Sequence, residues 1–396
     1  MQTISFFNHK GGVGKTTMLF NAAVEMGRLG KRVLMVDYDA QANLTAIALQ
    51  DEMLTKLFEP GADGLTVAHA FAPLVGGSGD LDAPEAVEVR PGRVWLVPGD
   101  IRLSDFEGIM PNAFTEALAG QERGFRVTSA PYRLVQQLGE IVDADYAFVD
   151  LGPNVGALNR AVLLGSDYLI VPMASDLFSL RALPSVGGSL TTWIRQWATA
   201  KSVAPPTVNF PIPNGAPRVL GYVSQQFNVY RGEATAAFDQ WIQRIPGEIE
   251  AGLLEPLSIH PDGRGGSLAD PARSDGASVG DLKNFHSLVP HAQTLRQAIF
   301  ELTRRRRCAR RTGHPGARER GPVQGALREH HRSGGLITRS MPSPRAEHGR
   351  ESQVAVRPES RRRDAGPWRE SRIAKVEPGT WSEFLRWRRR VPVARA

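Results

Sequence analysis

One cysteine, Cys308, is all that the 396 residues contain, so no disulfide can form within the chain. No apolar run approaches the ~20 residues that cross a bilayer, which excludes a membrane helix and makes a membrane partner unexpected. There is no internal repeat, and a glycine-rich motif begins ten residues from Met1, leaving no room for a signal peptide; a cytoplasmic location is expected. His260, His286 and His291 have no cysteine or carboxylate pair at ligand spacing, so surface and turn roles replace metal binding for them. Glu248 and Glu250 read as a solvated helix face, and Trp193, Trp197 and Trp241 as packing anchors on helical segments. Positive charge is scarce in one part and abundant in the other. Residues 1–302 hold 23 Lys and Arg against 32 Asp and Glu, whereas residues 303–396 hold 25 against 9. The overall charge of +7 describes neither part.

What is present starts with Lys10 to Thr17, K-G-G-V-G-K-T-T, directly after the apolar run Ile4-Ser5-Phe6-Phe7 and before a helical pattern. A strand that turns through glycines into a helix aims backbone N–H groups and the positive end of the helix dipole at one point, a site for phosphate. Gly11, Gly12 and Gly14 permit φ > 0 and close approach to phosphate oxygens. In this pattern Val13 and Thr17 contribute backbone contacts, Lys15 a charge for the β and γ phosphates, and Thr16 a hydroxyl for Mg²⁺.

Two buried strands end in carboxylates. Arg32-Val33-Leu34-Met35-Val36-Asp37-Tyr38-Asp39 is followed by Ala40-Gln41-Ala42-Asn43, and Tyr146-Ala147-Phe148-Val149-Asp150 leads into Leu151-Gly152-Pro153-Asn154. Continuous apolar runs are what parallel strands covered on both faces look like, and ligands of such sheets lie beyond the carboxyl ends. An isolated Asp at a strand end often only caps or turns the chain. Two of them behind a phosphate loop argue for a site.

The opening lysine, with His9 where the common pattern has glycine, makes K-G-G-x-G-K-[ST]-T resemble the deviant Walker A of the ParA/MinD/Soj group of ATPases. The Asp37–Asn43 stretch is similar to that family's V-D-x-D-P-Q-x-N, with Ala40 in place of proline, and Asp150 looks like its Walker B carboxylate. Leu151 replaces a residue that often carries a hydroxyl in the family's D-T-P-P turn. Ser166 to Pro172, Val219 to Val223, and the closing Phe285 to Leu302 extend the likeness over residues 1–302. The resemblance implies ATP and Mg²⁺ as ligands, with Thr16, Asp37 and Asp150 about the metal. It implies catalytic roles for Lys15, for Asp39 in orienting water, and for Lys10 in reaching the nucleotide of a partner chain. Gln225 and Gln226, in the loop after Val223, fall where relatives contact adenine. A homodimer on ATP binding, non-specific DNA, an activating partner of ParB type and association with the nucleoid are the implied partners and setting.

The expected fold is α/β: a P-loop NTPase with a mostly parallel twisted sheet flanked by helices on both faces. Strands are expected near 2–8, 32–37, 93–98, 145–150, 167–172 and 218–224. Helices are expected near 15–29, 44–57, 131–142, 179–198, 234–243 and 291–302. Loops are expected at 60–64, 74–84, 204–217 and 261–280. Residues 303–396, where only Lys375 among the 25 bases is not arginine, are expected to be a disordered tail. Three readings of the tail stand: a nucleic-acid arm, a basic membrane-surface segment around Trp381 to Arg388, or a frame-shift product, which its composition favours. For the whole, an ATP-dependent dimerising switch ATPase, slow without a partner and acting in plasmid or chromosome partition, is the first expectation. The alternatives are a MinD-like positioning ATPase and a weakly hydrolysing ATP-binding regulatory module.

Overall fold

The computed structural model describes residues 1–59, 65–174, 176–227, 229–230, 233–234, 241, 243–258, 278–283 and 288–302. The arginine-rich tail lies outside them, as do His260 and His286 and nearly all of the helix expected at 234–243.

Alternation in the buried strands builds the centre. β1 (Gln2–Phe6) passes through the glycine-rich loop into α1 (Lys15–Arg28), then β2 (Val33–Tyr38), and the chain later supplies β3 (Val87–Arg90), β4 (Val94–Val97), β5 (Tyr146–Leu151), β6 (Tyr168–Ala174) and β7 (Arg218–Phe227). A short hairpin, β8 (Val229–Tyr230) and β9 (Glu233–Ala234), precedes β10 (Ser278–Lys283). The main sheet has eight strands in the order β10-β7-β6-β1-β5-β2-β4-β3, with only the β3–β4 pair antiparallel. Successive side chains point to opposite faces. Leu34, Val36, Ala147, Val149, Leu169 and Val171 join one core, while Val33, Met35, Tyr146, Phe148, Tyr168 and Ile170 join the other. Each core needs its own helical cover, which is why the apolar runs are continuous.

α1, α2 (Asn43–Ala48) and α3 (Asp51–Phe58) cover the second core. α1 presents Met18, Leu19, Ala22, Ala23 and Met26, and Gly30 at φ +88° closes it, with Lys31 N–H bonded back to Met26 O at 3.0 Å. The single helix expected over 44–57 is two. Leu49 and Gln50 are extended, and a new helix starts with Asp51 and Glu52 favourably placed in its first turn.

The first core is covered by α4 (Val67–Gly76), α5 (Leu103–Leu118), α6 (Glu122–Thr128), α7 (Ala130–Ile141), α8 (Ala157–Gly165), α9 (Leu177–Ser202), α10 (Ile245–Ile249) and α11 (Glu255–Ser258), with a π-helical turn Glu250–Leu254 joining the last two. The loop expected to start at Leu74 starts later, because α4 tolerates Pro73 and runs to Gly77, a left-handed cap at φ +65°. Part of the loop expected over 261–280 is β10, whose pairing to β7 extends the sheet edge. The closing stretch, α12 (Leu288–Leu295) and a 3₁₀ turn (Ile299–Glu301), begins three residues before the expected 291 and breaks at Arg296. It is fastened to the α1 side: Ile299 N–H donates to buried Asn21 Oδ1 at 2.7 Å, and Arg90 pairs with Glu301 at 2.7 Å.

Candidate nucleotide site

Every residue proposed from the sequence for phosphate or metal lies at the carboxyl ends of β1, β2 and β5. β1 is the strand from which the order departs in both directions, to β6 on one side and β5 on the other, so the crevice opens beside it. Of the three glycines expected to use their freedom, Gly12 and Gly14 have φ of +72° and +75°, whereas Gly11 does not take a positive φ. Gly14 is also the N-cap of α1, and no side chain bonds the first-turn amides from that position. A Cβ on Gly11 would sit 3.8 Å from Pro153, so the turn after β5 packs on the loop.

Lys15 is buried, and its Nζ donates to Asn8 O at 3.1 Å and Lys10 O at 3.4 Å, both carbonyls of the loop. Burial lowers its pKa, against the opposing pull of Asp150 and Asp39. The ammonium therefore sits in a site built around cation and carboxylate. Thr16 Oγ1 donates to Asp150 Oδ2 at 2.7 Å, while Asp150 Oδ1 is buried with no hydrogen-bond partner among the described residues.

Asp37 and Asp150 are direct partners in the β2–β5 ladder and continue the faces of Met35 and Phe148, which aims both towards α1 and α2. Burial holds both carboxyls above the usual range; Asp37 raises Asp150 further, and Asp39 adds to both. Two such neighbours share a proton more readily than they both ionise. A divalent cation at Asp150 Oδ1 would supply the charge that lets both ionise. Among the described residues no three His, Cys, Asp or Glu side chains gather into a metal cage. Mg²⁺ takes one or two protein ligands and fills its octahedron with water and phosphate. Thr16 and Asp150 fit such a site.

Asp37 has a structural task as well. α2 begins after Ala42, which has φ +51° and no capping group, and Asp37 Oδ2 accepts from Thr45 N–H at 2.9 Å and Thr45 Oγ1 at 2.7 Å in its place. Its Oδ1 accepts from Asp39 N–H at 3.2 Å. Thr45 Oγ1 in turn accepts Gly99 N–H at 2.7 Å, and a Cβ on Gly99 would lie 2.8 Å from Asp37 Cγ. Thr45→Val keeps the shape, strands the Gly99 N–H and takes one of two bonds from Asp37 Oδ2, so a loss of about 2 kcal/mol is expected in urea unfolding. Asp39 is nearly buried, accepts from Gln41 N–H at 3.0 Å, and faces Gly152, whose absent Cβ would be 3.4 Å from Asp39 Oδ1. The carboxylates of Asp37, Asp39 and Asp150 and the turn after β5 thus meet around the start of α1. Leu151 is the last residue of β5, buried in the first core, and so stands outside that turn.

Lys10 points elsewhere. Its Nζ is ion-paired to Asp176, and its N–H donates to Asn8 Oδ1 at 3.0 Å. Gln225 and Gln226 are not in a loop: β7 runs to Phe227, because Gln225 pairs with Ala174 on one side and Leu282 on the other. Asn8, Thr45, Gly99 and Asp176 are additions to the sequence-based set. Of these only Asp176 had a signal, an Asp directly before a helical run; it accepts Ser179 N–H at 2.9 Å as the N-cap of α9.

Residues 1–199 match a family model described as an AAA domain. The chromosome-partitioning ATPase Soj of Thermus thermophilus is 41% identical over 203 residues, 48% of this chain and 61% of that one. The virulence plasmid ParA family protein pGP5-D of Chlamydia psittaci is 25% identical over 192 residues, 47% of this chain and 62% of that one. The chain thus spans less than two thirds of the length of these curated relatives. The crystal structure of protein DIP2308 from Corynebacterium diphtheriae superposes with a TM-score of 0.60 at 28% identity, over 75% of this chain and 97% of that one.

Proposed function

This chain belongs to the AAA-domain family that includes the ParA and Soj ATPases, and on that premise we propose that it is a Mg²⁺-ATP-driven switch whose two chains pair on ATP to bind DNA without sequence preference, in the partition of a plasmid or chromosome. Residues 1–302 form the ATPase domain. The observation that carries the reading is the meeting of Lys15, Thr16, Asp150 and Asp39 at the start of α1, with Lys10 on the same rim.

Phosphoryl transfer asks mainly for positioning and charge neutralisation. Lys15 and the amides of Gly11 to Thr17 hold the phosphates, the end of β7 at Gln225 and Gln226 would serve the base, and Thr16 and Asp150, with Asp37 beside them, would hold Mg²⁺, whose charge would offset that of the γ-phosphoryl oxygens. Asp39, set against the Gly152 turn, orients the attacking water. Lys10 of the partner adds positive charge as the γ-phosphoryl leaves, so turnover is slow until two chains meet and an activating protein of ParB type holds them. The excess of acid over base in residues 1–302 makes DNA binding depend on a local basic face that pairing doubles.

DNA affinity of the full chain, followed by fluorescence anisotropy on random-sequence duplex with and without Mg²⁺-ATP, tests this. ATP is expected to tighten binding at least about tenfold at 0.15 M salt and to steepen the salt dependence, because more phosphates are contacted at once. Pairing doubles the arginine-rich segment as well as the basic face, so the gain reports pairing on DNA. Equal affinity with and without nucleotide rejects the DNA-binding switch.

A further inference from the structure

Lys10, the residue that marks the deviant motif, is occupied within its own chain. Its ammonium pairs with Asp176 Oδ2, and its backbone N–H is held by Asn8 Oδ1 at 3.0 Å. Asn8 is in turn anchored on β6, its Nδ2 donating to Pro172 O at 2.8 Å. The other oxygen of Asp176 caps α9 through Ser179 N–H. One end of the contact is therefore fixed by β6 and the other by α9. Both side chains of the pair keep about a third of their surface in solvent, 29% for Lys10 and 36% for Asp176. A pair so placed holds a lysine in one rotamer and yet opens readily.

We propose that Asp176 is a positioning residue for Lys10: it parks the ammonium in its own chain and sets how much protein and nucleotide are needed before the two chains pair. The inference rests on the reading that Lys10 acts across a pair of chains. A lysine has one ammonium on a four-carbon stem, and it cannot serve Asp176 and a nucleotide on the partner together. Crossing over therefore breaks the pair, and a two-fold dimer breaks it twice. Asp176 carries negative charge to oppose that crossing: burial works to protonate it, but the Lys10 bond and the Ser179 amide prevail and its pKa lies below the usual carboxylate range. Exposed apolar surface that a partner would bury lies beside it. Two residues on, Phe178 in the first turn of α9 is 74% exposed, the most exposed large apolar side chain among the described residues. A second chain that covers Phe178 approaches the latch directly, so pairing and release of Lys10 are one event.

The test is the concentration at which half of the full chain is dimeric in saturating Mg²⁺-ATP, by sedimentation velocity, with phosphate release measured alongside. Asp176→Asn keeps a side-chain oxygen for the cap, since Asn caps as well as Asp, and removes the charge. It is expected to lower the half-dimer concentration about five- to tenfold, because two partly exposed ion pairs no longer have to open. Phosphate release should rise at low protein concentration and match the unaltered chain at high concentration. In a Lys10→Ala background the same substitution should change nothing, a dependence that a purely structural effect of residue 176 would not show. Asp176→Ser, another neutral cap, repeats the measurement should the Asn variant unfold. No shift with either variant, or a shift that survives Lys10→Ala, overturns the latch. If Lys10→Ala alone dimerises and hydrolyses as the unaltered chain does, the trans-acting lysine itself falls.

Discussion

Lys15→Ala is expected to bind Mg²⁺-ATP at least about a hundredfold more weakly in equilibrium dialysis. Removing one partner from a desolvated charge pair costs about 2–5 kcal/mol, and each 1.4 kcal/mol is tenfold. Lys15 is 7% exposed, so little water is available to replace its charge at the phosphates. The fold should survive. Among the described residues Nζ bonds only the carbonyls of Asn8 and Lys10, and neither helps to close the sheet. The same substitution removes the cation nearest Asp150, whose carboxyl then takes up a proton still more readily. An affinity within a factor of three of the unaltered chain would mean that the triphosphate is held elsewhere, and the proposed function would go with it.

Asp39→Ala should separate binding from turnover. Among the described residues its carboxylate accepts only from the next-but-one amide, Gln41 N–H, and it faces the Gly152 turn, so its loss breaks no hydrogen bond of the glycine-rich loop, Lys15 or Asp150 and removes only its charge from beside them. A group that orients or deprotonates water typically contributes 10²–10⁴ in rate. We therefore expect phosphate release about a hundredfold slower or worse, ATP affinity within a few-fold of the original, and a chain that elutes as a dimer with ATP by light scattering. A monomer under those conditions would place Asp39 in pairing; undiminished release would place the water elsewhere.

The clustering of the candidate phosphate and carboxylate residues was legible because its signals are local. Three glycines, two lysines and two threonines lie in eight residues, and Asp37 and Asp150 each end a run whose apolar residues leave no doubt of a buried strand. The contacts that were not legible join residues far apart. Lys10 meets Asp176 across 166 positions, and Gly99 reaches Thr45 across 54. The fold behaved likewise. β1, β2, β5 and β6 stand where their patterns put them, give or take two residues. α5 escaped notice because Gly108 and Pro111 interrupt a helix whose buried face, Leu103, Phe106, Met110, Phe114 and Ala117, keeps helical spacing throughout. α4 was hidden by Pro73 in the same way. β10 has a glycine and an acidic residue in six, and only its partner β7 makes it a strand. That partner also turned the expected loop at Gln225 and Gln226 into paired backbone.

The bond from Ile299 to Asn21 spans 278 positions. A ribosome adding about 5–20 residues each second needs roughly 15–60 s to travel that far. Throughout that interval the first helix of the nascent chain, with the phosphate loop at its head, waits for the amide that completes its outer side. The helix that follows the glycine-rich loop is thus made well before the residue that closes its outer side, so a product that stops short of Ile299 carries the whole motif on an incomplete mount.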